Sequence, residues 1–170
     1  VSSGVGRAGV AVVRISGPSS AKIFRELTGR VLNPRHFAVC KFVDPVTAEI
    51  VDLGVAVWLP GPTTATGEDM CEFHAHGSDA VIARLFDCFR RFPSVRPAEA
   101  GEFVRRAFVN GKMDLVEAEG LSDLLEARTE RQRQLAIRQV LGSASKVIEA
   151  WRTGLIEIMA QVDATIEFGE

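Results

Sequence analysis

Residues 66–77 read TGEDMCEFHAHG, and the second part of this stretch alternates regularly between two kinds of side chain. From Met70 onward one set is wholly apolar (Cys71, Phe73 and Ala75), whereas the other set holds Met70, Glu72 and His74. Because successive side chains of a β-strand point to opposite faces, the alternation predicts a strand with one buried face. Glu72 and His74 would then share the less buried face.

Strand and helix signals are mixed over the first 110 residues. Three further stretches are rich in β-branched residues and predict strands: 10–15 (VAVVRI), 37–43 and 54–59. Short helices are predicted after the Ser19-Ser20 pair, after Ser78, and over 101–110.

The pattern changes near Lys112, and the rest of the chain contains no proline. Asp114 with Glu117, and Thr129 with Gln132, have the spacing of helix-capping boxes. We therefore expect one short helix followed by a long one that bends near Gly142. A lone amphipathic helix cannot bury its own apolar stripe, so the long helix should require further chain or a partner.

Composition narrows the class of protein. Of 170 residues, 46% are hydrophobic and 25% are charged, and the net charge is −2. These are globular values that argue against disorder and give no strong global attraction to nucleic acid or anionic membrane. Three cysteines (Cys40, Cys71 and Cys88) argue against a disulfide scaffold and fit a reducing compartment. No apolar run has the length of a membrane helix, and a start without Met together with a helical end leads us to expect a fragment.

Three charged residues stand at unusual places and are candidates for ligand binding. Glu72 lies on a half-buried strand, and its two acceptor oxygens in one plane suit a pair of N–H donors such as the amino-pyrimidinone edge of a pterin. Arg14 interrupts an apolar strand, where it either meets an anionic ligand group or pairs with an acid such as Glu72 or Glu68. Lys112 follows a helix stop and is either a cationic contact or an ordinary surface lysine.

A metal site is an alternative use of the same strand. His74 and His76 are two residues apart and, with Glu72, would supply three ligands of the kinds that zinc accepts. Such a site would make the protein a metal-dependent hydrolase. The His-x-His pattern is short and common, so the favoured interpretation is a packed strand end, with Gly77 making the turn into a helix.

A basic stretch and several absent motifs bear on nucleotides. Residues 84–112 contain seven basic and three acidic side chains, an excess of +4, which suits either an RNA-facing patch or a solvated helix face. The glycine-rich start precedes a strand instead of following one and lacks the phosphate-loop pattern. The chain also lacks C-x-x-C, G-x-S-x-G and H-E-x-x-H. The sequence therefore predicts no complete catalytic apparatus and no catalytic residue.

The ordered motifs of the chain resemble a known family. They are GRAGVAVVRISGP (6–18), VWLPGP (57–62), TGEDMCEFHAHG (66–77), the long stretch 96–139 that begins RPAEAGEFVRRAFVNGKMDL, and IEFGE (166–170). In collinear order these resemble the N-terminal part of the tRNA-modification GTPases called MnmE or TrmE, which have a mitochondrial counterpart in eukaryotes.

The resemblance implies a fold and a cofactor. Residues 1–111 would form an α+β folate-binding and dimerisation domain, with a mixed sheet and helices, similar to the folate-binding domain of the glycine-cleavage aminomethyltransferase. Residues 112–170 would begin an all-α domain. The implied cofactor is 5-formyltetrahydrofolate, a one-carbon donor for the wobble uridine U34 of tRNA. The family's folate contacts fall on Arg14, Glu72 and Lys112.

The resemblance also implies partners that lie outside this chain. They are a second copy in a homodimer, a flavin-containing subunit of the GidA type, and tRNA, with no membrane. GTP, Mg²⁺ and K⁺ would bind a GTPase domain that this chain lacks. A eukaryotic protein would be placed in the mitochondrial matrix and a bacterial one in the cytoplasm.

Two departures from the family pattern flank the implied pocket. Ala65 stands where the family has an aromatic residue, and Ser78 follows His76-Gly77 where the family has a second glycine. These departures motivate a second hypothesis, in which the chain is a dimerisation and assembly module that binds no folate.

Overall fold

The computed structural model describes residues 2, 7–30 and 33–168. The chain forms two compact units, Val1–Lys112 and Met113–Glu170. Each unit is described by itself below.

The first unit is built on a four-stranded sheet. Its strands are β1 (Ala8–Ser16), β2 (Ala38–Val43), β3 (Ile50–Leu59) and β4 (Met70–Gly77), in the spatial order β1-β4-β3-β2. All three pairings are antiparallel, so the expectation of a mixed sheet is wrong. The short links from β2 to β3 and from β3 to β4 account for two of these pairings, because a parallel pair needs a longer crossover connection.

Three helices accompany the sheet, and their termini follow the sequence signals. Helix α1 (Ser20–Thr28) begins after Ser19 and ends at Gly29, whose φ of 63° is the left-handed conformation that glycine tolerates best. Helix α2 (Asp79–Arg90) is capped by the Ser78 hydroxyl, which accepts from the Val81 amide at 3.3 Å. Helix α3 spans Glu102–Val109. The predicted helices are confirmed.

The core of the first unit lies on one face of the sheet. The Phe73 ring of β4 is fully buried and packs against Phe24, Phe42 and Phe89. The opposite face remains partly open, since Phe37, Val39 and Leu53 are more than half exposed. The predicted alternation of β4 is therefore confirmed, with Glu72 and His74 on the open face and half-buried.

The second unit is helical. It contains α4 (Leu115–Glu126), α5 (Glu130–Val140) and α6 (Ser143–Phe168). Both predicted capping boxes are present, at Asp114 and at Thr129. The expected single long helix is wrong: it is divided in two, because Gly142 adopts a left-handed φ of 70° that ends the helical path.

Helix α6 buries none of its residues, and its large apolar side chains are exposed within this unit. Among the described residues, no helix has the length and apolar character needed to cross a membrane.

Candidate functional site

Arg14 and Glu72 face each other across the β1–β4 pair. The antiparallel register sets the two residues directly opposite, and the Arg14 Nε donates to Glu72 Oε1 at 2.6 Å. The Glu72 side chain is only 13% exposed, whereas that of Arg14 is 41% exposed. The structure therefore brings together two of the three candidate residues, Arg14 and Glu72. Of the two acids considered as partners of Arg14, Glu72 is the one it contacts.

The second oxygen of Glu72 is also held. His74 Nε2 lies 3.1 Å from Glu72 Oε2, and the His74 ring meets the exposed Phe37 ring edge-on at a centroid distance of 5.4 Å. Each carboxylate oxygen has two lone pairs, so these contacts orient Glu72 without using its full acceptor capacity. No pattern in the sequence pointed to Phe37, whereas the i, i+2 spacing of Glu72 and His74 indicated that these two side chains share one face of the strand.

An ion network lies beside the end of β1. Ser16 Oγ donates to Glu68 Oε2 at 2.7 Å, and Arg106 Nη1 contacts both oxygens of Glu68 at 3.2 and 2.9 Å. Arg106 also binds the buried Glu102, which accepts two further bonds from Arg96. The bonds from Arg96, from a backbone amide and from Arg106 lower the pKa of Glu102 to about 2. Sequence reasoning missed this network.

Lys112 belongs to the turn that follows α3. Its amide donates to the Ala107 carbonyl at 2.8 Å, which closes the turn after α3. Its side-chain stem runs past Gly67, close enough that a Cβ added there would approach Lys112 Cε to 3.0 Å. Among the described residues no hydrogen bond links Lys112 to Arg14 or Glu72.

Most of the basic stretch 84–112 is neutralised. Six of its seven cations have an acidic partner within 4 Å: Arg84, Arg90, Arg91, Arg96, Arg105 and Arg106. Two of them bind Asp44, far away in sequence, which a local count of charges cannot include. In the described part of the chain, only Lys112 of these seven has no such partner.

The strand histidines are engaged separately. His74 contacts Glu72, whereas His76 contacts Asp52 through its Nδ1 and its amide, each at 2.8 Å. Within residues 2, 7–30 and 33–168, no three His, Cys, Asp or Glu side chains form a group that could hold a metal ion. The geometry gives the metal hypothesis no support.

The two departures from the family pattern have different structural meanings. Ser78 caps α2, so its hydroxyl has a local structural role. Ala65 is exposed in the loop before β4 and leaves the position of the family's aromatic residue without a ring.

A separate open groove lies in the second unit, between α4, α5 and the start of α6. It is lined by side chains such as Asp123, Gln132, Leu135 and Gln139. None of the candidate residues belongs to it.

Sequence comparison covers almost the whole chain with two family models. The family described as GTP-binding protein TrmE N-terminus matches residues 1–112, and the MnmE helical domain matches residues 115–170.

Individual relatives come from bacteria and from mitochondria. The chain is 48% identical over 168 residues to a tRNA modification GTPase MnmE of Methylorubrum populi. The matched region includes 99% of this chain and 38% of that relative. It is 48% identical over 170 residues to the mitochondrial 5-taurinomethyluridine-[tRNA] synthase subunit GTPB3 of Danio rerio, and the match includes 100% of this chain and 34% of that relative. For the Homo sapiens protein of the same name the identity is 46% over 172 residues, and the match includes 100% of this chain and 35% of that relative. The chain thus spans little more than a third of each relative.

Proposed function

The chain belongs to the TrmE/MnmE family, and from that premise we propose that it is the folate-binding and dimerising N-terminal part of a tRNA-modifying GTPase. The observation that carries the proposal is the Arg14–Glu72 pair on the open face of the sheet, since a carboxylate only 13% exposed is held there in a fixed orientation. A largely buried carboxylate in a fixed orientation is suited to accept hydrogen bonds from the N–H groups of a planar heterocycle.

Glu72 would accept N–H bonds from the amino-pyrimidinone edge of the pterin of 5-formyltetrahydrofolate. Arg14, whose side chain is 41% exposed, and Lys112 would bind the polar remainder of the cofactor. The folate supplies the one-carbon unit for C5 of the wobble uridine; this chain supplies position and charge.

The remaining parts of the activity would come from outside residues 1–170. A homodimer, a flavin-containing subunit of the GidA type and the tRNA substrate complete the proposed assembly. A GTPase domain elsewhere in the longer protein would bind GTP, Mg²⁺ and K⁺. The protein would act in the mitochondrial matrix if its source is eukaryotic and in the cytoplasm if it is bacterial. The word mitochondrial in the name of the Danio rerio relative supports the first placement.

Calorimetric titration with 5-formyltetrahydrofolate tests the proposal. The Glu72→Gln change keeps the shape but replaces one acceptor oxygen by an NH₂ donor, so one charge-assisted bond to the ligand is lost. That loss, of about 1.5–3 kcal/mol, should weaken binding roughly 10- to 150-fold.

Asp52→Asn is the matched control. Asp52 is a carboxylate on the neighbouring strand with a side-chain exposure of 10%. It pairs with His76, whereas Glu72 pairs with Arg14 and His74. This variant should bind folate like the parent chain. Equal affinity for the parent and Glu72→Gln chains would remove Glu72 from the site.

The assembly module is the second candidate function. It is favoured by the exposed Ala65, and by the open sheet face where Phe37, Val39 and Leu53 are exposed. Sedimentation equilibrium distinguishes the two functions: a dimer that takes up no folate at millimolar ligand would support the assembly module alone.

A further inference from the structure

Lys112 differs from its basic neighbours because its stem lies against Gly67 and, in the described part of the chain, its ammonium group has no acidic partner within 4 Å. We infer that the loop of residues 64–69 is a seat that positions Lys112, and that Gly67 is the positioning residue at its centre. The inference rests on the proposed folate site, because it assigns Lys112 a polar group of that ligand as its partner.

Gly67 leaves the space through which the lysine passes. Its φ is +79°, and a Cβ at this position would lie 3.0 Å from Lys112 Cε, 3.3 Å from Lys112 Cγ and 3.2 Å from Asn110 Cβ. Contacts this short require the neighbour to move. A side chain at residue 67 would therefore shift the stem of Lys112 by a few tenths of an ångström.

The seat is locked to α3 on both sides of Gly67. Asn110 Nδ2 donates to the Thr66 carbonyl at 2.6 Å, and Arg106 holds the Glu68 carboxylate. Thr66 itself is fully buried. The loop is thus tied to α3 and to the turn after it at Thr66 and at Glu68, the two residues that flank Gly67.

The seat is also connected to β1, which carries Arg14. Ser16 Oγ lies 2.6 Å from Thr66 Oγ1 and donates to Glu68. Ser16 and Arg14 are two residues apart on the same side of a strand, which is a separation of about 7 Å. The same loop therefore fixes Lys112 and the end of the strand that presents Arg14.

Fixing the stem should strengthen binding by lowering the entropy that the lysine loses when it meets a ligand. A free lysine side chain has enough rotamer freedom to weaken binding by roughly tenfold when it is immobilised. Displacing the stem from its seat should restore that loss.

The test is the affinity of the full chain for 5-formyltetrahydrofolate in Gly67→Ala and Gly29→Ala. Both glycines have positive φ, +79° and +63°, but a Cβ at Gly29 meets nothing within 4 Å. Both variants should lose thermal stability from backbone strain, and Gly67→Ala should lose more because its Cβ also meets Asn110 and Lys112. Only Gly67→Ala should bind folate about tenfold more weakly.

A double-mutant cycle with Lys112→Ala separates positioning from a general structural defect. If Gly67 acts through Lys112, then Gly67→Ala should have no further effect on affinity in the Lys112→Ala background. Additive losses, or equal affinities for Gly67→Ala and Gly29→Ala, would overturn the inference.

Failure of the proposed function would look different, because the parent chain itself would then bind no folate, and the inference would fall with it. Should Gly67→Ala not fold, Asn110→Ala takes its place in the cycle, since it removes the bond to Thr66 without adding bulk. Its loss of affinity must likewise vanish in the Lys112→Ala background, or the inference is wrong.

Discussion

Replacing Phe73 by leucine tests whether the two faces of β4 have separate roles. Phe73 lies between Glu72 and His74 in sequence, but its ring points into the core, where three rings lie 5.4–5.7 Å away (those of Phe24, Phe42 and Phe89). Each aromatic pair contributes about 0.5–1.5 kcal/mol beyond area burial, and leucine also leaves a small cavity. We expect the substitution to lower the free energy of unfolding of the first unit by about 2–4 kcal/mol.

The expected change in melting temperature follows from the size of the unit. With an unfolding entropy of about 2.1 cal/mol/K per residue over Val1–Lys112, each kcal/mol corresponds to about 4 °C, so Phe73→Leu should lower the midpoint by about 8–17 °C. Scanning calorimetry measures this shift. Folate affinity, measured well below the midpoint, should not change.

Phe37→Leu is the control, because its ring is 63% exposed and contacts only the His74 ring among the described aromatic pairs. It should lower the midpoint by a few degrees at most. A Phe73→Leu shift no larger than that of Phe37→Leu would refute the core assignment. A loss of folate affinity in Phe73→Leu would refute the separation of the two faces.

Two further predictions concern the buried acid and the helical unit. The Glu102→Gln variant should be less stable than the parent near neutral pH, and the gap should close as the pH falls from about 4.5 towards 2. The reason is that a carboxyl whose folded pKa is about 2 contributes stability above its unfolded pKa and loses it on acidification. Urea midpoints across this range measure the gap, and a gap independent of pH would contradict the ion network. In the helical unit, Gly120→Ala would bring a Cβ to 2.5 Å from Gln139 Cβ and should destabilise by about 1–3 kcal/mol. By contrast Gly154→Ala, which meets nothing within 4 Å, should stabilise by up to about 1 kcal/mol. A melting temperature of Gly120→Ala equal to or above that of the parent chain would show that α4 and α5 do not approach closely at Gly120.

Local patterns predicted the elements of this fold well. The alternation around Phe73 depends only on strand geometry, and the capping boxes at Asp114 and Thr129 depend only on neighbours three residues away. Their physical causes lie within a few residues, so the sequence contains them directly.

Strand direction and helix continuity were predicted less well. All strand pairs of the sheet are antiparallel. The direction of a strand relative to its neighbour depends on the path of the connecting chain, which the residue pattern of a single strand does not indicate. The break at Gly142 was expected as a bend, since a glycine inside a helical pattern is compatible with either outcome.

The candidate site shows the same division. The residue types of Arg14 and Glu72 indicated two charges that required partners, but the choice between Glu72 and Glu68 depended on register. Arg14 stands opposite Glu72, whereas Glu68 is taken by Arg106 from α3. The seat of Lys112 depends on contacts between loops far apart in sequence, which no spacing rule describes.

Mapping of ligand-induced NMR shifts tests the central claim most directly. When 5-formyltetrahydrofolate is added to the isotope-labelled chain, the Arg14 Nε–H signal and the backbone amides of Glu72 and Lys112 should shift together and saturate at one ligand concentration. Shifts that are absent, or confined to the helices of residues 113–170, would contradict the folate site on the open face of the sheet.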